Sequence, residues 1–131
     1  MEPTELKHVI SAEAAAPGGA YSHAVTNGQL VFTAGQTGVD PGTGELVETL
    51  AAQVEQALDN LELVLAAAGS DTRHVLKTTC FLRDIADFAT FNAIYARRFS
   101  KPYPARSTFG VQFAGNLLFE IEAVAISANQ S

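Results

Sequence analysis

Hydrophobic residues recur at helical spacing in two stretches of the chain. In the first, leucine and valine return every three or four positions over 49–68, and Gly69 follows where a C-terminal cap belongs. The second begins near Asp84 or Asp87, either of which is a suitable N-cap. Prolines soon after the stripe prevent this helix from continuing. Its apolar stripe consists of Phe88, Phe91, Tyr95 and Phe99.

Strand-like segments surround these two helices. The run 25–32 contains Asn27-Gly28, a pair that supplies the positive φ angles of a tight turn, so it predicts a hairpin. Turn-forming residues crowd 40–45 and predict an exposed loop. Between the helices, 75–82 is rich in β-branched and apolar residues and predicts a strand.

The final third of the chain alternates with a period of two. This alternation predicts strands over 106–113 and 117–124, separated by a short turn at 114–116. We expect the two strands to form one hairpin whose apolar faces lie on the same side, against the helices. The opposite side of that hairpin would carry Arg106, Thr108, Glu120 and Glu122.

The order of elements predicts an α+β fold, a two-layer sandwich with both helices on one face of a sheet. We expect one domain over residues 1–131, a length typical of single domains. The face away from the helices mixes apolar residues with the two glutamates and holds few lysines. Such a face favours a second covering, most simply another copy of the subunit, so we expect an oligomer.

Charge and composition exclude several classes of function. The net charge of −6 disfavours a nucleic-acid partner. No apolar run approaches the ~20 residues that a spanning helix requires, and no basic segment followed by an apolar stretch opens the chain, so we expect no membrane association and a cytoplasmic location. The single cysteine, Cys80, falls in a strand-like run, and the scattered histidines lack metal-ligand spacing with it, so we expect no metal site.

Arg106 and the two glutamates are the candidate chemical groups. The planar guanidinium fits a carboxylate in bidentate fashion, which lysine cannot reproduce. Glu120 and Glu122 share one side of a strand, so their mutual repulsion would raise the pKa of one of them. The residues alone leave open whether Arg106 binds a ligand carboxylate or forms a salt bridge with a glutamate of another subunit.

Seven short motifs occur in an order that resembles the RidA family, the reactive intermediate/imine deaminases formerly labelled endoribonuclease L-PSP. The last two, Pro-Ala-Arg-Ser-Thr and Glu-Ile-Glu-Ala, are the most specific. The motifs cover nearly the whole chain and lie at 19–25, 30–36, 40–46, 77–84, 87–92, 104–108 and 120–123.

The resemblance implies a chorismate-mutase-like fold, a mixed six-stranded sheet with two helices on one face, assembled as a homotrimer. It also implies hydrolysis of reactive 2-imino acids of the 2-aminoacrylate type to 2-keto acids and ammonia in clefts between subunits, without a cofactor or metal. By similarity, Arg106 would bind the substrate carboxylate and Glu120 would position or activate the water. The remaining residues implied to line the cleft are Tyr21, Gly35, Asn92 and Thr108.

The chain departs from the family pattern at several positions, which affects the choice of substrate more than the class of reaction. The final turn is slightly short, and the unusual residues are Ala20, Ala34, Thr108 and Gln112. A non-catalytic module that binds small carboxylates or docks a protein would use the same arginine and stays an alternative. A ribonuclease, the activity in the older family name, is disfavoured by the negative charge and the absence of a basic groove.

Overall fold

Thr49 and Gly69 begin and end the first helix as the sequence predicts. In a computed structural model that describes residues 5–128, the Thr49 side chain accepts a hydrogen bond from Ala52 N–H at 3.1 Å. Gly69 has a φ of 82°, and Ser70 N–H returns to Leu65 O at 2.8 Å. These contacts satisfy backbone groups that the two helix ends leave unpaired.

Over residues 5–128, seven strands and two α-helices follow one another. Two short 3₁₀ turns precede β5 and α2, at Thr72–His74 and Ile85–Asp87. The elements are β1 Lys7–Val9, β2 Ala24–Thr26, β3 Leu30–Thr33, β4 Gln36–Thr37, α1 Leu50–Ala67, β5 Val75–Leu82, α2 Phe88–Arg98, β6 Ala105–Gly110 and β7 Phe119–Ile126.

The strands form one mixed sheet in the order β1-β2-β3-β7-β5-β6, and the two-residue β4 pairs with β7 beside β3. β5 and β6 are parallel, and the other pairs are antiparallel. The predicted fold class is confirmed, with β4 as an addition to the six-stranded path. The hairpin of β2 and β3 turns at Gly28, which has a φ of 94°.

Both helices cover one face of this sheet. The alternate residues of β7 that point to them are all buried, and the Phe91 ring of α2 lies 5.2 Å from the Phe119 ring of β7. Leu61 and Leu65 of α1 are likewise fully buried in the same core. We call this side of the sheet the inner face. Within the described residues, neither α-helix combines the length and apolar character needed to cross a membrane.

The other side, the outer face, carries large apolar side chains beside the two glutamates and is uncovered in one subunit. Phe32 is 53% exposed and Phe109 is 52% exposed, and the Phe109 ring stacks on Phe81 at 6.4 Å. Two large apolar side chains this exposed on one sheet surface are unusual for a protein that stays monomeric. These exposed rings therefore support the expectation that another subunit covers the outer face.

The predicted hairpin of the last two strands is wrong. β6 ends at Gly110 rather than continuing to 113, and it pairs in parallel with β5, while β7 lies on the other side of β5. The segment 111–118 crosses the end of β5, where Val111 N–H binds Leu82 O and Arg83 N–H binds Leu118 O. Arg83 also donates to three carbonyls of this crossing, those of Phe113, Gly115 and Leu117. Local alternation cannot distinguish this crossover from a tight turn.

The predicted face of β6 is also wrong, whereas that of β7 is right. Arg106 pairs with Thr78, whose hydroxyl binds the Tyr95 hydroxyl of α2 at 2.7 Å, so Arg106 lies on the inner face. Phe109 lies on the outer face. The reversed orientation of β6 has a physical reason. The aromatic residues of α2 make cation–π contacts with the Arg106 guanidinium, and the Phe109 ring packs on the outer face.

Candidate active site

Arg106 lies in a cleft between β6 and α2. Its Nη1 donates to Asn92 Oδ1 at 2.8 Å, and its Cζ lies 4.7 Å from the centre of the Tyr95 ring and 5.2 Å from that of Phe91. Cation–π contact of this kind holds a guanidinium without neutralising it. Among the described residues, no carboxylate forms an ion pair with Arg106, so most of its donor fork is free to bind an anion.

This cleft has a volume of about 350 Å³, which suits a small organic acid. The sequence pattern predicts Tyr95 only as part of the apolar stripe of α2, and it predicts no role for Tyr103. Tyr95 stands three residues after Asn92 on α2, so helical spacing was the available signal for its place beside Arg106. The residues that line the cleft, called the Arg106 half-site below, are Asn92, Tyr95, Ala96, Tyr103, Pro104 and Arg106.

Thr108 lies two residues after Arg106 on the same face of β6, where it pairs with Cys80 of β5. Its hydroxyl oxygen is buried and makes no hydrogen bond within the described residues. A buried hydroxyl without a partner costs about 1–3 kcal/mol. Thr108 is not among the residues that line the Arg106 cleft, so the cleft as it stands gives a ligand no access to this oxygen. Burial raises the pKa of the Cys80 thiol to about 12, which excludes it as a nucleophile at neutral pH.

Glu120 lies on the outer face of β7. It pairs there with Phe81 of β5, which itself pairs with Phe109 of β6. Burial raises the pKa of Glu120, and the neighbouring Glu122 carboxylate raises it further. The sequence predicts a raised pKa for one of the two glutamates, and the structure assigns a raised pKa to Glu120.

Gly35 lies against Glu120 because the sheet is interrupted beside it. β3 pairs with residues 124–126 of β7, and β4 pairs with residues 120–121 of β7. Ala34 and Gly35, which lie between β3 and β4, therefore do not pair with β7. In this gap, the Thr33 hydroxyl accepts a hydrogen bond from the Ala123 N–H at 3.0 Å. A Cβ on Gly35 would come within 2.7 Å of the Glu120 carboxyl carbon, so only glycine permits this approach.

Tyr21 and Glu120 both line a second cleft, which has a volume of about 420 Å³. The phenol oxygen of Tyr21 accepts a hydrogen bond from Gly18 N–H at 2.9 Å, which leaves the hydroxyl proton available as a donor. Sequence reasoning did not find Leu117, which comes from the segment that crosses β5. The lining residues, called the Glu120 half-site below, are Tyr21, Ala34, Gly35, Thr37, Leu117 and Glu120.

The six predicted site residues thus fall into two groups, and the grouping corrects the prediction that Arg106 and Glu120 share a face. Arg106, Asn92 and Thr108 lie on the inner side of the sheet edge, and Tyr21, Gly35 and Glu120 on the outer face. With Glu122, all seven lie within the described residues. In that part of the chain, no group of three or more potential metal ligands occurs.

This geometry defines the class of the protein. It is a mixed α+β protein with an arginine cleft on one side of its sheet and a glutamate cleft on the other. The sequence model of the family described as Endoribonuclease L-PSP matches residues 11–127. The chain belongs to this family, which is also called the RidA family.

Named relatives agree with this membership. The chain is 44% identical to the human 2-iminobutanoate/2-iminopropanoate deaminase, over 92% of this chain and 90% of the human one. It is 46% identical to the chloroplastic Reactive Intermediate Deaminase A of Arabidopsis thaliana, over 91% of this chain and 65% of that longer one. The crystal structure of RidA from the Antarctic bacterium Psychrobacter superposes with a TM-score of 0.89 at 36% identity, covering 92% of this chain and 98% of that chain.

Proposed function

We propose that this protein hydrolyses reactive 2-imino acids and their enamine tautomers to 2-keto acids and ammonia, in clefts completed by a neighbouring subunit of a homotrimer. The observation that carries the proposal is the Arg106 guanidinium, held by aromatic rings and Asn92 without a carboxylate partner among the described residues. The named deaminases among its relatives support the reaction class.

The substrate carboxylate is the group that Arg106 would bind. Its fork can offer two parallel N–H donors to the two carboxylate oxygens, an arrangement that fixes both position and orientation. Asn92 would keep the guanidinium in the plane that this binding requires.

Glu120 would handle the proton of the attacking water. An imine carbon is electrophilic once its nitrogen is protonated, so the reaction needs an oriented water rather than a covalent catalyst. Water adds to this carbon while Glu120 takes its proton, and a tetrahedral carbinolamine forms. Glu120 returns this proton to the nitrogen and then takes the hydroxyl proton as the C–N bond breaks, which releases ammonia and leaves the keto acid. The raised pKa of Glu120 favours both transfers, because a less acidic carboxyl takes up a proton more readily and can still return it.

The separation of the two half-sites supports an assembly. Arg106 and Glu120 lie on opposite faces of one sheet with β5 between their strands, so one copy cannot place both against one small substrate. An outer face that buries Phe32 and Phe109 against a neighbour would bring the Glu120 half-site beside that neighbour's Arg106 half-site. Tyr21 and the Gly35 backbone would then form the wall opposite the arginine.

The proposal is tested by following 2-iminobutanoate as a threonine dehydratase releases it. Semicarbazide captures the electrophilic iminium faster than the ketone, so a protein that hydrolyses the imine lowers the initial rate of semicarbazone formation. We expect this effect for the wild type, a loss of about 10- to 100-fold for Arg106→Ala, and little recovery in Arg106→Lys, which keeps the charge but not the fork.

Lys101→Ala is the matched control, because it removes an exposed cation from the same region. It should retain wild-type activity. A wild type that leaves semicarbazone formation unchanged would refute the deaminase function. Calorimetry that then found 2-ketobutyrate bound at Arg106 would favour the non-catalytic carboxylate-binding alternative.

A further inference from the structure

His23 is a buried imidazole that the proposed reaction does not use. It begins the turn into β2, is 1% exposed, and binds two backbone groups of the preceding segment. Its Nδ1 accepts the Ser11 N–H at 2.9 Å, and its Nε2 lies 2.8 Å from Ala15 O. A carbonyl oxygen can only accept, so Nε2 carries the proton and the ring is neutral.

The segment held by His23, called the Tyr21 strap below, spans residues 11–21 and contains neither helix nor strand. Its first turn is closed by the Ser11 hydroxyl, which accepts N–H groups of Glu13 and Ala14 at 3.2 and 3.3 Å. Ala14 is buried in the core. His23 therefore binds the strap at residues 11 and 15 from inside the protein.

Tyr21 takes its position from this strap. Its hydroxyl accepts Gly18 N–H, its backbone N–H binds Gly19 O at 3.0 Å, and a Cβ added at Gly19 would meet its ring in ordinary contact. The ring is half exposed, so core packing contributes little to its orientation. A movement of the strap would carry the Tyr21 hydroxyl with it.

A small cavity connects His23 to the Glu120 half-site. It has a volume of about 140 Å³, and His23 and Tyr21 both line it. Tyr21, Gly35 and Thr37 line both this cavity and the Glu120 cleft. The imidazole and the Tyr21 side chain thus border one cavity that adjoins the Glu120 cleft.

We propose that His23 is a positioning residue for the reaction: by accepting from Ser11 and donating to Ala15, it fixes the Tyr21 strap and places the Tyr21 hydroxyl in the Glu120 half-site. The functional part of this inference rests on the proposed function, because only there does Tyr21 touch a substrate. Its structural part rests on the two hydrogen bonds. Both parts can be measured separately.

The two backbone partners predict which side chains can replace His23. Glutamine carries one acceptor and one donor, so His23→Gln should keep both interactions. Leucine carries neither, so His23→Leu leaves the Ser11 N–H and the Ala15 carbonyl unpaired unless the strap opens to water. His8, exposed on the edge strand β1, provides the matched control as His8→Leu.

Amide hydrogen exchange of the whole protein, followed by mass spectrometry, tests the structural part. Exchange in peptides covering 11–21 should rise at least about tenfold in His23→Leu, while the helices keep their protection and His23→Gln and His8→Leu resemble the wild type. Should His23→Leu fail to fold, His23→Ser, which is small enough to admit water to both backbone groups, takes its place. Unchanged exchange in the strap overturns the inference.

A double-mutant cycle on kcat/KM tests the connection to Tyr21. We expect His23→Leu to lower kcat/KM about tenfold in the wild type but less than about twofold in a Tyr21→Phe background, because the hydroxyl that it positions is already absent. Equal losses in both backgrounds would show a general structural role and refute the positioning of Tyr21.

The exchange measurement requires no substrate. A wild type without deaminase activity, combined with the predicted rise in exchange, would refute the proposed function and retain the dependence of the strap on His23.

Discussion

The contact between Gly35 and Glu120 predicts that adding one methyl group removes activity without unfolding the protein. A Cβ at residue 35 would overlap Oε2 of Glu120, and it would lie 2.7 Å from the carboxyl carbon and 3.0 Å from Cγ of the same side chain. Ordinary carbon contacts lie near 3.5–4.0 Å, so the carboxylate must retreat by at least about 1 Å. A displacement of this size in a catalytic group costs about 100-fold in rate.

Backbone strain does not complicate this substitution. Gly35 is not among the glycines with a positive φ, and its neighbour in the contact is the flexible end of a side chain. We therefore expect Gly35→Ala to lower kcat/KM for 2-iminobutanoate about 100-fold while the thermal midpoint changes by only a few degrees. The matched control is Gly110→Ala, where an added Cβ would meet only ordinary contacts.

Two results would refute this reasoning. Activity of Gly35→Ala within about threefold of the wild type would show that the Glu120 carboxylate does not need its observed position. A further large loss on adding Gly35→Ala to Glu120→Gln would show that the methyl group acts elsewhere, because a substitution that acts only through the carboxylate has no more to remove.

Three further predictions concern Glu122, Cys80 and the core. In Glu122→Gln, loss of the repelling charge should lower the pKa of Glu120 and move the acid limb of the kcat/KM profile to lower pH; an unmoved limb would contradict the coupling. With a pKa of about 12, only about one Cys80 thiol in ten thousand is ionised at pH 8, so a disulfide reagent should label it in urea but not in buffer. Leu61→Ala should lower the free energy of unfolding by about 2–5 kcal/mol in denaturant titrations, and a loss under 1 kcal/mol would contradict its full burial.

Local signals in the sequence were sufficient for most elements. Thr49 and Gly69 mark the ends of α1 because their side-chain or backbone preferences act within a few residues. The run over 75–82 became β5 with the predicted bounds, since its composition suits a strand buried between neighbours. These predictions depend on contacts close in sequence, and the structure confirms them.

The place of β6 could not be predicted from alternation. A period of two shows that a strand has two faces, but it does not show which face meets the helices. Phe109 suggested the core and Arg106 suggested solvent, yet the aromatic side of α2 binds the arginine and the outer face holds the phenylalanine. The pairing partner was missed for a related reason, because the crossing of β5 is stabilised by distant contacts such as those of Arg83.

The sequence could predict which residues belong to the candidate site, but it could not predict how they are arranged in space. The resemblance implied six site residues, and five of them line one or the other half-site, whereas Thr108 lines neither. The separation of the two half-sites by β5 depends on sheet order, a long-range property. Tyr95 and Leu117 were missed because one also belongs to a core stripe and the other lies in an irregular segment.

Subunit complementation tests the central claim, that each active site combines Arg106 of one copy with Glu120 of another. Arg106→Ala and Glu120→Gln proteins, each inactive alone, are unfolded together in equal amounts and refolded so that their subunits mix. In a random closed assembly, about one quarter of the clefts should receive both intact halves, so activity should return to about one quarter of the wild-type value. Refolded mixtures that contain mixed assemblies by native mass spectrometry and yet stay inactive would contradict the account, because the two residues would then have to act within one chain.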